Sequence, residues 1–374
     1  MQPPSHHRLL RSGLAALAAV ALTAAAGCGS GPDTAGPTRT KGSAVSAARC
    51  AENEAAGKIT YLSGYQYQAS ASILEYVAAE KLGYFDDLCL DVSLRPGTGD
   101  TAQNTKLLAG GRATVAAVAE QDVIQARAAG IDIEGVSSYS DAGLDVLMTN
   151  KDITALPQLD GKVVGHKGYV PAAVEAMMVK AGVRWDSLKL VKEGYDPSVL
   201  PRRQGGLEAL TGFVSNEPNQ LRAAGKDVTV WQPVDYGIPS SLGAMAVNPA
   251  FAKAHPHAVQ DVLRAALHAY AYCSSGAAHI RECVGYAAGL SGPTYDKTLN
   301  TTIWRTETQV VRDNPTPGQP LGGLDLSNVT ELVAMLHRFA IVPAGVTAAR
   351  ARGWFDTSYV DGLYAAGKLV WPAP

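Results

Sequence analysis

From Lys58 onward, short apolar runs alternate with segments whose apolar residues recur at helical spacing. Apolar runs bounded by turn residues are typical of buried strands, whereas helical spacing predicts amphipathic helices. The alternation predicts βαβ units, and therefore an α/β fold with mostly parallel sheets flanked by helices. In the first round the predicted strands are 58–63, 90–96, 114–118, 133–139 and 144–149, and the predicted helices are 69–81, 101–109 and 121–129.

The alternation restarts after a turn at 155–162, which predicts a second lobe. Its predicted strands are 163–166, 188–192, 208–214 and 228–232, with helices at 172–181 and 218–224. A strand at 243–247 then precedes helices at 249–273, 277–288, 296–311, 326–339 and 357–366.

A tail of helices cannot bury its apolar faces alone, so it is expected to pack back on the first lobe. We therefore expect the first part of lobe 1 at 58–149, lobe 2 at 150–240, and a return strand with helices at 241–374. Two lobes joined by two crossing segments form a cleft that can close around a small molecule.

The first residues predict export. An apolar run at 14–26 is too short to span a bilayer and follows a basic start, as in a secretion signal. The run ends in Ala-Ala-Gly-Cys, which resembles the lipobox of bacterial lipoproteins and predicts a signal peptide at 1–27, lipidation of Cys28 and a flexible tether at 28–57. A plain cleaved signal with an unmodified cysteine is the alternative. The basic or titratable residues before the run are His6, His7, Arg8 and Arg11.

The charge of the chain argues against nucleic acid as a partner, and its cysteines predict disulfides. The formal net charge is −2 without blocks of like charge, which gives no electrostatic basis for binding nucleic acid.

Four cysteines besides Cys28 favour disulfides in an oxidising compartment, and short separations favour Cys50–Cys89 and Cys273–Cys283. Other pairings or four buried thiols are alternatives. No Cys-x-x-Cys pair occurs, so the cysteines do not predict a metal site.

Four segments, at 59–92, 107–113, 159–165 and 212–218, together resemble the periplasmic-type substrate-binding proteins. Their order resembles the branch that holds binders of thiamine-pyrimidine precursors, riboflavin, sulfonates and nitrate. The resemblance implies a two-lobed periplasmic binding protein type II fold. It also implies a monomer outside the cytoplasm that needs no cofactor, performs no catalysis and delivers a small solute to an ABC permease and its ATPase.

The segment Asn216-Glu217-Pro218 resembles the pyrimidine- and flavin-binding members. A carboxylate in the cleft disfavours an anion and suits ring N–H or amino groups, so the expected ligand is an aminopyrimidine, a thiamine precursor or a flavin-like ring. A sulfonate or nitrate binder and a ligand-sensing lipoprotein are the alternatives. A related pyrimidine-synthesising enzyme uses pyridoxal phosphate, iron and a cysteine-rich segment, but residues 165–171 contain no cysteine.

The loop after the first strand carries aromatic and amide side chains. Ligands bind outside the carboxyl ends of strands in open α/β sheets, which is where this loop is expected to lie. Aromatic faces and amide groups there suit a flat polar heterocycle. The alternative is that these are solvent-facing surface residues. The candidate contacts in this loop are Tyr61, Tyr65, Gln66, Tyr67 and Gln68.

Two later strand ends add candidates. Gly97 and Gly99 imitate a dinucleotide fingerprint, but export argues against that cofactor; a cleft-lining backbone or a structural turn are the other interpretations. Glu120 and Gln121 follow the third strand, where helix capping by Glu120 is the alternative.

In the second lobe, the strand ends predict a further group of contacts, with structural packing as the alternative for each. This group comprises His166, Tyr169, Tyr195, Asn216, Glu217 and Tyr236. Gly362–Lys368 has phosphate-loop spacing but lacks the following Ser or Thr, and neither a Gly-x-Ser-x-Gly nor a His-Glu-x-x-His motif occurs. No catalytic residue is therefore predicted.

Overall fold

The structure is a computed structural model, and it describes residues 40–374. The predicted signal peptide and Cys28 lie outside the described residues. Within the described residues, no helix is both long and apolar enough to cross a bilayer.

The strands of the described chain mostly coincide with the apolar runs that predicted them. Strand β3, for example, consists of four buried residues, as expected for a strand covered on both faces. In chain order the strands are β1 (Lys58–Leu62), β2 (Asp91–Arg95), β3 (Val115–Val118), β4 (Glu134–Ser137), β5 (Asp145–Thr149), β6 (Val163–His166), β7 (Lys189–Lys192), β8 (Leu207–Phe213), β9 (Thr229–Trp231), β10 (Ala244–Val247), β11 (Tyr364–Ala365) and β12 (Lys368–Leu369).

Two five-stranded sheets form the two lobes, in the orders β2-β1-β3-β10-β4 and β7-β6-β8-β5-β9. The predicted two-lobed α/β fold is confirmed, and each sheet is mixed. Strand β10 runs antiparallel to β3 and β4, and β5 runs antiparallel to β8 and β9. These two strands arrive directly from the other lobe, without the helical crossover that a parallel neighbour requires.

The two crossing segments run side by side. Ser140 pairs with Leu242 across them, and the Gly143 backbone N–H donates to Ser240 Oγ at 2.6 Å. The chain therefore leaves the first sheet after β4 and enters the second at β5. Strand β5, predicted as the end of the first lobe, belongs to the second sheet, because its apolar residues pair with β8 and β9.

Helices cover both faces of the first sheet. Helices α2, α9, α10 and α11 share one apolar core with β1 and β10, and α4, α5, α12 and α13 share another with β3. The tail thus packs on the first lobe, as predicted. In chain order the helices are α1 (Ala47–Ala55), α2 (Leu74–Lys81), α3 (Tyr84–Asp87), α4 (Thr101–Ala109), α5 (Glu120–Ala128), α6 (Ala172–Lys180), α7 (Glu217–Ala223), α8 (Pro249–Ala254), α9 (Pro256–Ser274), α10 (Ala277–Ser291), α11 (Lys297–Asp313), α12 (Leu326–Arg338), α13 (Ala348–Arg352) and α14 (Ser358–Asp361).

Two predicted tail helices differ from the structure. The helix predicted at 249–273 is divided at His255, because Pro256 lacks a donor and disfavours helical backbone in the residue before it. The helix predicted at 357–366 contains only the short α14, followed by the hairpin of β11 and β12. Gly367 has a φ of +74° in that turn, a conformation that glycine adopts without strain.

The predicted tether is wrong for residues 47–55, which form α1. Ser46 caps this helix, and the Arg49 guanidinium donates to the buried carboxylate of Asp261. A disulfide joins Cys50 of α1 to Cys89, and a second joins Cys273 to Cys283 between α9 and α10. Both predicted pairings are therefore present, and the first anchors α1 to the lobe.

Candidate functional site

The candidate site lies at the carboxyl ends of the parallel strands. In the first lobe these are the ends of β1, β2 and β3, and in the second lobe the ends of β6, β7 and β8. Both crossing segments start and finish at these edges, so the two edges border the same cleft. This is where ligands bind in open α/β sheets.

Aromatic side chains are exposed at both edges of this cleft. Tyr65 and Phe213 expose 43% and 44% of their surface, and Tyr169 and Tyr195 expose 76% each. Large apolar groups left in water at a concave edge are typical of a ligand site. Three of the four belong to the predicted contacts. Phe213 was missed because it was assigned to the body of its strand.

Backbone contacts with two glycines position the Tyr65 loop. The Gly97 N–H donates to the Tyr65 carbonyl at 3.2 Å, and the Gly99 N–H donates to the Gly64 carbonyl at 3.0 Å. A Cβ on Gly97 would lie 2.1 Å from the Ser63 carbonyl oxygen, and Gly99 has a φ of +94°. These glycines are needed so that the two loops can touch, which favours the structural interpretation of the fingerprint-like segment.

The neighbouring residues of this loop differ in exposure: Gln66 is exposed, whereas Tyr67 and Gln68 are half-buried. Gln66 Nε2 donates to the Gly97 carbonyl at 3.4 Å. The Tyr67 carbonyl accepts from Ser291 Oγ at 2.5 Å. The loop is therefore fixed against the glycine turn and against α10, while the Tyr65 ring projects from it.

Two predicted contacts, Tyr61 and Tyr236, pack on neighbouring residues in this structure. Tyr61 is buried, its ring stacks on Tyr76 with centroids 3.6 Å apart, and its hydroxyl donates to the Ser72 carbonyl. The strand turns it inward because neighbouring strand residues alternate between faces. Tyr236 is half-buried and packs on an apolar core.

Glu120 is fully buried beside the crossing segments. Asn328 Nδ2 donates to its carboxylate at 2.9 Å, and also to the Ser240 carbonyl at 2.9 Å. Burial raises the pKa of Glu120 to about 8. Asp122 makes the capping bond at this helix start, so Glu120 is not the cap, and its contact with a ligand stays a prediction. Gln121, half-buried, contacts the crossing segment that follows Ser240.

The Glu217 carboxylate is engaged within the second lobe. Its side chain is 2% exposed and forms an ion pair with Lys167, while its second oxygen accepts from the Phe213 N–H at 2.7 Å. Asn216 Nδ2 donates to it at 3.3 Å, and Asn216 Oδ1 accepts from Gln220 at 2.8 Å. Glu217 therefore holds the loop that carries Phe213, and direct contact with a ligand stays a prediction.

Lys167 lies among the exposed rings of the second lobe. Its Nζ is 5.5 Å from the Tyr195 ring centroid and 5.4 Å from the Phe213 ring centroid, within cation–π range. Burial lowers the pKa of Lys167 to about 8. The neighbouring His166 is half-buried, and its Nδ1 accepts from the Gly168 N–H at 3.0 Å, which shapes the turn before Tyr169.

Asp145 adds a carboxylate that the sequence reasoning missed. It is half-buried at the start of β5, where it had been assigned to a strand without a functional role. Burial, and then the neighbouring Asp122, raise the pKa of Asp145 to about 7, whereas Lys167 opposes the shift. Burial of the hydroxyl is the largest cause of a raised pKa at Tyr169, and the carboxylates of Asp145, Asp122 and Asp100 raise it further. Three carboxylates therefore lie close enough to act on the Tyr169 hydroxyl.

Glu307 on α11 joins loops of both lobes. Its carboxylate accepts from Ser70 Oγ at 2.7 Å and from the Ala71 N–H at 2.7 Å in the first lobe, and from Ser215 Oγ at 2.8 Å in the second. Asn219 of the second lobe also bonds to α11. Glu307 is 1% exposed. Its partners lie far away in sequence, so no local pattern could have revealed it.

The chain is similar in sequence to known proteins. The family described as NMT1/THI5 like matches residues 70–276, which include strands of both lobes and more than half of the chain. A formylaminopyrimidine-binding protein from Halalkalibacterium halodurans is 28% identical over 204 residues, covering 52% of this chain and 60% of that protein. The chain therefore matches less than two thirds of that relative's length.

Solved structures share the fold at low sequence identity. The periplasmic aliphatic sulphonate binding protein from Escherichia coli has a TM-score of 0.57 at 14% identity, covering 79% of this chain and 91% of that chain. The ligand-binding component of an ABC-type import system from Staphylococcus aureus has a TM-score of 0.56 at 10% identity, covering 81% and 97%. Both comparisons establish the periplasmic binding protein fold.

Replacing Glu217 with alanine is expected to destabilise the protein even without ligand. The change leaves the Phe213 N–H and Lys167 without their partner, at a cost of about 1–3 kcal/mol. Denaturant unfolding of Glu217→Ala measures this cost, with the exposed Glu331→Ala as the matched control. Unchanged stability in Glu217→Ala would contradict the loop-holding role.

The free energy of unfolding is expected to fall as the pH rises from 5 to 8, partly because of Glu307. Burial raises the pKa of Glu307 to about 7, so the folded state binds this proton more tightly than the unfolded state. The resulting stabilisation is complete below the ordinary glutamate pKa and is lost as the pH rises through about 7.

Glu307→Gln removes this titration, so its stability should depend less on pH than that of the wild type. Between pH 5 and 8, the free energy of unfolding of the wild type should fall by at most about 3 kcal/mol more than that of the variant. Denaturant titrations at several pH values measure the difference, with exposed Glu80→Gln as the control. Parallel curves for wild type and Glu307→Gln would show that Glu307 does not titrate as described.

Proposed function

The chain belongs to the NMT1/THI5-like family, and we propose that it is the extracytoplasmic solute-binding component of an ABC importer. In this proposal the two lobes capture a small, flat heterocycle with N–H donors, of the aminopyrimidine, thiamine-precursor or flavin-like class. The loaded protein then delivers the solute to a membrane permease and its ATPase. It acts as a monomer, tethered to the outer face of the membrane through Cys28.

The exposed rings at the cleft carry this proposal. Tyr65 projects from the first lobe, and Tyr169, Tyr195 and Phe213 project from the second. A flat ligand between them would remove apolar surface of both lobes from water, and stacking on aromatic faces adds about 0.5–1.5 kcal/mol per pair. Binding energy gained from both lobes at once favours the closed form, so closure is a population shift driven by the ligand.

The charges at the cleft support a neutral or cationic ligand over an anion. The side chains that act electrostatically on Tyr169 are carboxylates, and the ammonium of Lys167 is paired with Glu217. A sulfonate or nitrate beside Tyr169 would lie near these carboxylates and would find the ammonium of Lys167 already paired. The name of the Halalkalibacterium halodurans relative, a formylaminopyrimidine-binding protein, supports the same ligand class.

We propose capture without chemistry. Of the carboxylates predicted at the cleft, Glu217 holds a loop and Glu120 lies buried at the crossing segments. The cysteine-rich segment of the related pyrimidine-synthesising enzyme has no counterpart at 165–171. A sulfonate or nitrate binder of the same fold and a ligand-sensing lipoprotein are the alternative functions.

A thermal-shift panel tests the ligand class. Aminopyrimidines, thiamine or riboflavin should raise the melting temperature of the purified protein in a concentration-dependent way, because they bind only the folded state. Taurine, alkanesulfonates and nitrate should leave it unchanged. A shift produced only by the anions would overturn the heterocycle proposal.

Tyr195→Ala should weaken binding of the ligand that this panel finds about tenfold, because a stacking surface is lost. Since Tyr195 is 76% exposed, its removal should change stability by less than about 0.5 kcal/mol. Isothermal titration calorimetry measures the affinity. Ile341→Ala, which removes an exposed apolar side chain outside the candidate contacts, is the matched control and should bind as the wild type does.

A further inference from the structure

Asp145 stands where the second sheet meets the cleft. It is the first residue of β5, directly after a crossing segment, and it lies opposite Phe213 in the antiparallel pair of β5 and β8. Directly opposed residues in such a pair project from the same face of the sheet. The carboxylate therefore shares a face with the exposed Phe213 ring, in the electrostatic range of Lys167.

Asp145 differs from the neighbouring carboxylates in having unused acceptors. Asp100 caps α4 through the Gln103 N–H, Asp122 caps α5, and Glu217 holds the Phe213 loop. Among residues 40–374, the Asp145 side chain accepts no hydrogen bond and forms no ion pair. A half-buried carboxylate without partners is costly to desolvate. An N–H donor on a ligand would offset that cost when the cleft closes.

We infer that Asp145 is the residue that selects ligands with an amino or amidine N–H, by accepting a hydrogen bond from that group while the ring lies against Phe213. This inference rests on the proposed function and narrows its substrate class to heterocycles with an exocyclic amine. It also reassigns the acceptor role that the sequence gave to Glu217, whose oxygens have partners within the lobe.

Asp145→Asn tests the inference because it keeps the shape and removes the charge. Two probes of matched size, 4-aminopyrimidine and 4-methylpyrimidine, are titrated by calorimetry into wild type and variant. Loss of a charge-assisted hydrogen bond should weaken binding of the amino probe about tenfold, and binding of the methyl probe should change less than about twofold. Asp186→Asn, at an exposed aspartate of the same lobe, is the control and should match the wild type.

Each result has a distinct meaning. If Asp145→Asn binds the amino probe as tightly as the wild type does, or loses both probes equally, the role of Asp145 is overturned while heterocycle binding stands. If the wild type binds neither pyrimidine but binds an alkanesulfonate, the proposed function itself fails. Unfolding curves of Asp145→Asn that match the wild type show that altered affinity is not a folding defect.

Discussion

The buried carboxylate of Glu307 sets the position of one lobe's binding loop relative to the other. Ser70 and Ala71 follow the Tyr65 loop, and Ser215 follows Phe213, so the three donors that Glu307 accepts from come from both edges of the cleft. Among residues 40–374 its hydrogen-bond partners carry no positive charge, and burial without a counter-charge favours its protonated form. By bonding to both, the Glu307 carboxyl group holds the loop of the first lobe and the loop of the second lobe next to each other at the cleft.

The polar groups of these loops form hydrogen bonds and ion pairs within the protein, whereas their aromatic rings are exposed. Gly97 and Gly99 let the first-lobe loops touch, and the Lys167–Glu217 pair with the Phe213 N–H fixes the second-lobe loop. Rigid loops lose little freedom when a ligand binds, which favours affinity. Specificity is then left to the surface that the rings and Asp145 present.

Much of the fold could be predicted from the sequence, because strand and helix periodicity are local properties. The disulfides also followed from the number and spacing of cysteines. Helix α1 was missed because its anchors, the Cys89 disulfide and Asp261, are remote in sequence. The ion pair of Glu217 could not be foreseen for the same reason, since Lys167 lies 50 residues away. Local patterns show which residues reach a strand end, and only tertiary contacts show which of them are already engaged.

The most direct test of this binding mode is a crystal structure of the protein saturated with an aminopyrimidine. We predict that the ring lies between the Tyr65 loop and the Phe213 and Tyr195 rings, with a ligand nitrogen about 2.7–3.2 Å from a carboxylate oxygen of Asp145. A ring bound outside this cleft, for example in the groove between α11 and residues 232–235, would contradict it.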